Sequence, residues 1–177
     1  MAASTLVSLE EYLSTSYEPD REYVDGELVE RCVGKFEHSR LQTLIATYFC
    51  IKEVEFKIWA FTEQRIQVVN TDHEKRYRIP DVCLVRTPYG QESILTSPPY
   101  LVIEILSPDD RASDTLAKTS DYSRFGIPHI WIVDPEQRKL FHADSQGIRE
   151  QADLIGQLPE IGLTVDFNQF FARISQQ

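Results

Sequence analysis

Two apolar segments separated by a helix-length polar stretch constrain this fold most. Residues 101–106 read LVIEIL and residues 129–134 read HIWIVD. Short apolar runs of this kind are typical of buried strands. The polar stretch between them predicts a helix that is capped by Asp110 or Ser113, runs to about Phe125 and is stopped by Gly126 and Pro128. Strand, helix and strand form a βαβ unit, which predicts parallel strands with a right-handed crossover.

The flanking segments supply further strands and helices. Residues 8–13 have the serine-to-glutamate spacing of a capping box and predict a short helix. The pair Asp25-Gly26 lies between two alternating runs and predicts a β-hairpin, because both residues tolerate positive φ. Apolar residues at helical spacing predict an amphipathic helix from Phe36 to about Val54.

Three more strands are predicted at 56–61, 64–70 and 77–86, with residues 71–77 as a turn. Residues 163–174 predict a closing strand and a terminal helix. The pattern as a whole predicts an α/β protein.

The chain of 177 residues predicts one domain, residues 1–177, with its core at about 20–145. The N-terminus has no basic start or long apolar segment, and no apolar run is long enough to span a bilayer, so we expect a cytoplasmic protein. The cysteines at 32, 50 and 83 are odd in number and form no CxxC pair. We interpret them as reduced, buried thiols.

The negative net charge of the chain is unfavourable for binding nucleic acid. The chain has 28 acidic and 18 basic residues, a formal net charge of -10. Neutralising phosphates usually requires a basic surface. Any binding of DNA would have to depend on a local patch or on metal ions that offset the acids.

Glu104 lies in the middle of an apolar strand, with three apolar residues before it and two after it. An unpaired carboxylate in an apolar interior costs several kcal/mol. Asp81, in IPDVCLV, is a second acid in an apolar strand. If the two strands are antiparallel neighbours, the two carboxylates converge.

A divalent cation between these carboxylates would favour the ionised form of both. Mg²⁺ or Mn²⁺ suits such oxygen ligands, and Mg²⁺ commonly uses only one or two protein carboxylates. The backbone carbonyl of Ile105 is a third candidate ligand. Lys118 lies on the crossover helix that follows Glu104, where its ammonium could orient a metal-bound water or stabilise charge on a phosphate.

Asp81, Glu104 and Lys118, with the segments IPDVCLV, YLVIEILSP and GIPHIWIVDP, resemble the PD-(D/E)xK nuclease superfamily. The resemblance is greatest to its Uma-type restriction endonuclease family, formerly a domain of unknown function. EYVDGELVE and EHSRL also fit that family, and the resemblance covers roughly residues 8–170. In the wider superfamily the lysine follows the second acid by two residues, where this chain has Leu106. In the Uma-type pattern it stands on the next helix, as Lys118 does.

The resemblance implies a restriction-endonuclease-like fold, which has a central mixed β-sheet flanked by helices. It also implies metal-dependent hydrolysis of DNA phosphodiesters. It implies that Asp81 and Glu104 are Mg²⁺ ligands, and that Lys118 is the catalytic base or stabiliser. DNA and a divalent metal are the implied partners. Cleavage of two strands by a small nuclease favours a homodimer.

Two further residues are substrate-binding candidates. His38 begins the first long helix and its imidazole titrates near neutrality, although a surface role is also open. Tyr122 is on the same helix face as Lys118, with core packing as its alternative. Glu27 is a weaker candidate on the predicted hairpin.

Simpler interpretations of the three main residues remain open. Glu104 could form a buried salt bridge with Lys118 or Arg78. Asp81 could only start a strand after Pro80, and Lys118 could pair with Asp114 one turn earlier.

Two other functions also remain open. A non-enzymatic protein of the same fold could bind nucleic acid or a protein partner. Alternatively, two opposed carboxylates could act as the general acid and base on a sugar.

Overall fold

The computed structural model describes residues 6–31 and 35–174, which form four α-helices and twelve strands. The helices are α1 (Leu9–Ser14), α2 (Phe36–Phe56), α3 (Ala112–Phe125) and α4 (Asn168–Ile174). The first six strands are β1 (Arg21–Val24), β2 (Glu27–Glu30), β3 (Ile58–Thr62), β4 (Ile66–Asn70), β5 (Lys75–Arg78) and β6 (Val82–Arg86). The remainder are β7 (Leu101–Ile105), β8 (His129–Asp134), β9 (Lys139–Asp144), β10 (Gly147–Glu150), β11 (Ile155–Leu158) and β12 (Leu163–Asp166).

A six-stranded mixed sheet with the order β10-β9-β8-β7-β6-β3 forms the centre of the molecule. Strands β7 and β8 are parallel, and α3 connects them. Strand β6 is antiparallel to β7. The predicted βαβ unit and the predicted mixed sheet flanked by helices are therefore confirmed.

Each face of this sheet is covered by a different layer. On one face the alternate residues Ile103 and Ile105 of β7 join α2 and α4 in the larger apolar cluster. On the other face Val102 joins residues of α3 and β4. Because neighbouring residues of a strand point to opposite faces, Glu104 lies on the α3 side, with Val102.

A second sheet, of four strands in the order β2-β1-β5-β4, carries the predicted hairpin. Asp25 and Gly26 both have positive φ at its turn, as the Asp-Gly pair predicted. This sheet contributes Ile66 and Val69 of β4 to the apolar layer above α3. The hairpin is thereby held close to one end of α3.

The prediction of one strand over residues 77–86 is wrong. Strand β5 ends at Arg78 in the four-stranded sheet, and β6 begins at Val82 in the six-stranded sheet. Pro80 lies at the crossover, where its missing N–H removes a donor that a continuous strand would need. The predicted turn at 71–77 is also too long, because β5 already begins at Lys75.

Helix starts were predicted with mixed success. The Ser8 hydroxyl accepts a hydrogen bond from the Glu11 amide at 3.1 Å, which confirms the cap of α1. For α3, Arg111 is at the cap position and forms no side-chain cap bond. Asp110 instead accepts from the Ser107 amide at 2.6 Å, so neither predicted residue caps this helix.

The C-terminal strands belong to the main core. Leu158, Leu163, Val165 and Phe170 are buried in the same cluster as α2 and β7. These residues lie beyond 20–145, the range expected for the core. Strands β11 and β12 pair in a small separate sheet, which nevertheless packs its apolar side chains on the central one.

The cysteines differ from one another in their surroundings. Cys83 is buried, and its burial raises the pKa of the thiol to about 12, as expected for an inert thiol. Cys50 is exposed on α2, which contradicts the expected burial. Cys32 lies outside the described residues. Over the described parts of the chain, each helix is too short or too polar to cross a bilayer.

Candidate active site

Asp81 and Glu104 are brought together by the antiparallel pairing of β6 with β7. Val82 pairs with Ile103, and continuing this register by one residue places Asp81 opposite Glu104. The two side chains line one small cavity at the carboxyl end of β7. Active sites of α/β sheets tend to occur at such ends.

Asp81 is held by three groups from separate parts of the chain. Its Oδ2 accepts a hydrogen bond from the Ile105 amide at 2.7 Å and lies 3.3 Å from His38 Nε2. Its Oδ1 lies 3.1 Å from a guanidinium nitrogen of Arg31. Burial alone would raise the pKa of Asp81, but the His38 bond and charge and the Ile105 amide lower it below its ordinary value.

Glu104 is almost fully buried and has two side-chain partners from α3. Its Oε1 accepts a hydrogen bond of 2.5 Å from the Tyr122 hydroxyl. Its Oε2 lies 3.3 Å from Lys118 Nζ. Burial raises the pKa of Glu104 to about 7; the Lys118 charge opposes the rise and the Asp81 charge adds to it.

Lys118 reaches the site from α3 and contacts a second, unexpected acid. Its Nζ lies 3.0 Å from Oε1 of Glu22, a residue of β1 that is fully buried. Burial opposes the charged ammonium, but Glu104 and Glu22 outweigh it and raise the pKa of Lys118. The ammonium is therefore charged at neutral pH.

Glu22 is itself part of a buried ionic chain. Arg78 donates to Glu22 Oε2 at 2.9 Å and to Asp121 Oδ2 at 2.6 Å. The Ile79 amide donates to Glu22 Oε1 at 3.0 Å. Burial would raise the pKa of Glu22, but Lys118, Arg78 and that amide lower it. This chain fixes the hairpin, β5 and α3 around the lysine.

These contacts bear out one simpler interpretation, because Glu104 does form the buried salt bridge with Lys118. They contradict two others. Arg78 pairs with Glu22 and Asp121, so it is not the partner of Glu104. Lys118 pairs with Glu104 and Glu22 rather than with Asp114. Glu27 is exposed on β2 and is not part of the cavity lining.

The two substrate-binding candidates occupy different places. The His38 side chain is 11% exposed and lines the cavity beside Asp81. Tyr122 is fully buried beneath Glu104. Tyr122 therefore packs in the core, as the alternative interpretation expected, and it does not line the cavity. Its hydroxyl orients the Glu104 carboxylate instead of facing a substrate.

Sequence reasoning missed Glu22 and Arg31. In β1 both Glu22 and Tyr23 are buried, so no alternation distinguishes an inward acid from an outward one. Arg31 follows β2, and only the fold brings it to Asp81. One signal was available for Glu22: Arg78, in the apolar surroundings of Tyr77 and Ile79, needs a buried acid as partner.

The donor groups fit a divalent cation that keeps most of its water. The cavity has a volume of about 70 Å³, enough for several water molecules at roughly 10–15 Å³ each. Within residues 6–31 and 35–174, no three His, Cys, Asp or Glu side chains are grouped so as to hold a metal ion. Mg²⁺ needs only one or two carboxylates. Burial is the main cause of the raised pKa of Glu104, and the Asp81 charge adds to it. A cation bound between the two carboxylates would favour the ionised form of both.

Known proteins resemble this chain along most of its length. The sequence model of the Uma2 family, described as "Putative restriction endonuclease", matches residues 9–167. The uncharacterized protein slr1290 of Synechocystis sp. (strain ATCC 27184 / PCC 6803 / Kazusa) is 31% identical over 170 residues, 89% of this chain and 87% of that protein.

A crystal structure of a "putative nuclease belonging to DUF820" from Anabaena variabilis ATCC 29413 superposes with a TM-score of 0.78 at 21% identity. The match covers 95% of this chain and 99% of that one. At this level of identity the likeness establishes the fold, which is restriction-endonuclease-like.

Proposed function

The chain belongs to the Uma2 family of restriction-endonuclease-like proteins, and on that premise we propose that it is a metal-dependent endonuclease that hydrolyses DNA phosphodiester bonds. The observation that carries the proposal is the meeting of Lys118 with Glu104, at 3.3 Å, in the cavity that Asp81 also lines. Two carboxylates and an ammonium in one cavity are the groups that phosphodiester hydrolysis with a metal requires.

Asp81, Glu104 and the Ile105 carbonyl are the proposed ligands of Mg²⁺ or Mn²⁺. When bound, the cation supplies Lewis acidity toward a phosphate oxygen and lowers the pKa of bound water. The protein's part is to orient both carboxylates in one cavity and to favour their ionised forms. The amide of Ile105 donates to Asp81, and the Tyr122 hydroxyl donates to Glu104 and opposes the rise of its pKa that burial causes.

Lys118 is the proposed catalytic lysine. Because its pKa is raised, the ammonium stays protonated, which favours stabilisation of negative charge on the phosphate over proton abstraction. Glu22 pairs with the ammonium at 3.0 Å and is a positioning residue in this scheme. Leu106 leaves the usual lysine position apolar, and in this proposal Lys118 takes over the role from α3.

His38 is the proposed contact to the substrate. Burial lowers the pKa of His38, but the Asp81 hydrogen bond and charge outweigh it and raise the pKa. The imidazole is thus more readily protonated and can donate to a phosphate oxygen that enters the cavity. Arg31 on the opposite side of Asp81 adds a second cation.

The direct test is cleavage of supercoiled plasmid and of single-stranded DNA in Mg²⁺ or Mn²⁺. We expect chelation to abolish cleavage, and Asp81→Asn, Glu104→Gln and Lys118→Met each to reduce the rate by at least 100-fold. The matched controls are the exposed Glu55→Gln and the partly exposed Lys139→Met, which pairs with Glu150; neither position lines the cavity. Activity that survives chelation, or equal activity in Lys118→Met, would refute the proposal.

One contact favours a second candidate, a catalytically inactive protein of this fold that binds nucleic acid or a protein partner. Arg31 already neutralises Asp81 at 3.1 Å, so the site can be stable without a metal. Titration calorimetry with Mn²⁺ separates the candidates. A nuclease binds Mn²⁺, and Arg31→Met tightens that binding because a competing cation is gone. Absence of Mn²⁺ binding in both proteins would favour the inactive candidate.

Cleavage of both strands of a duplex is simplest with two copies of the site, so we also propose a homodimer. Light scattering coupled to size-exclusion chromatography measures the mass directly. A monomer at micromolar concentration that still makes double-strand breaks in one binding event would contradict this part of the proposal.

A further inference from the structure

A second and larger cavity lies next to the carboxylate site. Its volume is about 490 Å³, within the roughly 300–1,000 Å³ that is usual for small-molecule sites. It is formed by the start of α2, the loops after β7 and β8, and the end of α4. Its lining includes Lys35, Leu106, Pro108, Pro135, Arg138 and Ile174.

The two cavities are neighbours through shared residues. His38 lines both of them, and Leu106, which lines the larger one, directly follows Ile105 of the carboxylate site. A phosphodiester at Asp81 and Glu104 would therefore have one of its attached nucleosides at the entrance of the larger cavity. The strand β7 thus supplies both the site of chemistry and the wall beside it.

The lining of the larger cavity suits an uncharged ring better than a phosphate. Among the described residues, Lys35 and Arg138 are offset by Glu37 and Glu136. Lys35 is further paired with Asp109 at 3.1 Å. The remaining walls include proline and aliphatic side chains, which pack against flat apolar faces, while the charged rim can bond to polar ring edges.

We propose that this cavity binds one unpaired nucleoside flanking the scissile phosphate, so that the substrate is DNA with an extrahelical or single-stranded nucleotide. This inference rests on the proposed nuclease function. The net charge of -10 supports it, because binding along an intact duplex depends chiefly on neutralised phosphates. A nucleoside in a concave pocket gains contact area that does not depend on net charge.

Binding can be tested without cleavage. Fluorescence anisotropy in metal-free buffer measures the affinity for three labelled duplexes. The first contains one unpaired thymidine, the second has an abasic residue at the same place, and the third is fully paired. We expect the unpaired thymidine to bind roughly 10-fold more tightly than the abasic residue, as one base contact typically gives. Equal affinity for all three duplexes would overturn the inference.

A cavity-filling substitution locates the effect. Ile174→Trp should remove the thymidine preference, whereas Ile51→Trp, at an exposed position of α2, should keep it. If Ile174→Trp does not fold by circular dichroism, Pro108→Trp fills the same cavity from an exposed loop. A preference that persists in a folded cavity-filled variant would also overturn the inference.

The outcomes separate this inference from the proposed function. A preference for the unpaired thymidine without cleavage in any metal would support the cavity assignment and contradict the proposed nuclease function. Metal-dependent cleavage of all duplexes at equal rates and affinities would leave the nuclease standing and remove the cavity assignment.

Discussion

Glu22 Oε1 lies 3.0 Å from Lys118 Nζ, although Glu22 belongs to β1 of the four-stranded sheet and Lys118 to helix α3. The carboxylate is fully buried and shared with Arg78, and the ammonium is shared with Glu104. An unpaired buried charge would be strongly unfavourable at any of these places. The position of the proposed catalytic lysine is therefore set by a residue of the N-terminal hairpin.

Glu22→Gln should lower both stability and activity. The change leaves Arg78 and Lys118 with one acid fewer, and breaking a buried ion pair costs about 3–5 kcal/mol. Urea unfolding measures this loss, with the exposed Glu10→Gln as control. For a positioning role we also expect kcat to fall at least 10-fold while KM for DNA changes little. If the folded variant has a normal kcat, Glu22 contributes to stability only and does not position Lys118 for catalysis.

Tyr122→Phe should shift the pH dependence of cleavage. The hydroxyl donates to Glu104 Oε1 at 2.5 Å, and this bond favours the ionised carboxylate. Its removal raises the Glu104 pKa further, so the acid limb of the pH–rate profile should move to higher pH. Stability should fall by about 1–2 kcal/mol. An unchanged profile would show that Tyr122 does not act through Glu104.

Stability should decrease in acid through Glu22. Its pKa is lowered from an ordinary value of 4.5, so the folded state holds the ionised form more strongly than the unfolded state does. This contribution to stability is fully present above about pH 4.5. It is lost as the pH falls through the lower pKa that Glu22 has in the folded state. Thermal unfolding from pH 7 to pH 3 should show the gap between wild type and Glu22→Gln narrowing. A constant gap would contradict this.

Mn²⁺ should stabilise the protein more at pH 8 than at pH 6. The pKa of Glu104 is about 7 in the folded protein and lower in the unfolded chain. Without metal, stability therefore falls as the pH rises from the unfolded-state pKa of Glu104 through 7. A bound cation favours the ionised form and adds about 2.7 kcal/mol when its concentration is 100 times Kd. Differential scanning fluorimetry should show this rise in Tm, and Glu104→Gln should lose it. An equal rise in that variant would place the metal elsewhere.

The sequence predicted the fold well where pattern and local chemistry agree. The apolar runs around Glu104 and Trp131, separated by a helix ending at Gly126, could form little else than parallel strands with a crossover. The break at Pro80 was missed because residues on both sides of it have equally strong strand patterns. Only the pairing of β5 and β6 with different partners reveals it.

The site was predictable in part for the same reason. Asp81, Glu104 and Lys118 stand out as charges in apolar or motif-like surroundings, and the fold brings them to one cavity. Glu22 and Arg31 do not stand out, because charged residues are common on hairpins. Their burial results from the docking of the second sheet, which no local pattern encodes. Cys50 was misjudged because apolar neighbours on a helix do not determine which face is covered.

At Pro80 the chain passes from the four-stranded sheet to the central sheet, and this division affects what a truncated chain can assemble. Arg78 lies on one side of it with the hairpin, and Asp81 lies on the other side with the central sheet. Neither sheet alone brings an acid of the site together with its positively charged partner and Lys118, because Lys118 lies on α3. A nascent chain that ends before Lys118, or a fragment that begins after Glu22, consequently carries an incomplete set. On the proposed function, such truncated products would lack part of the cleavage site.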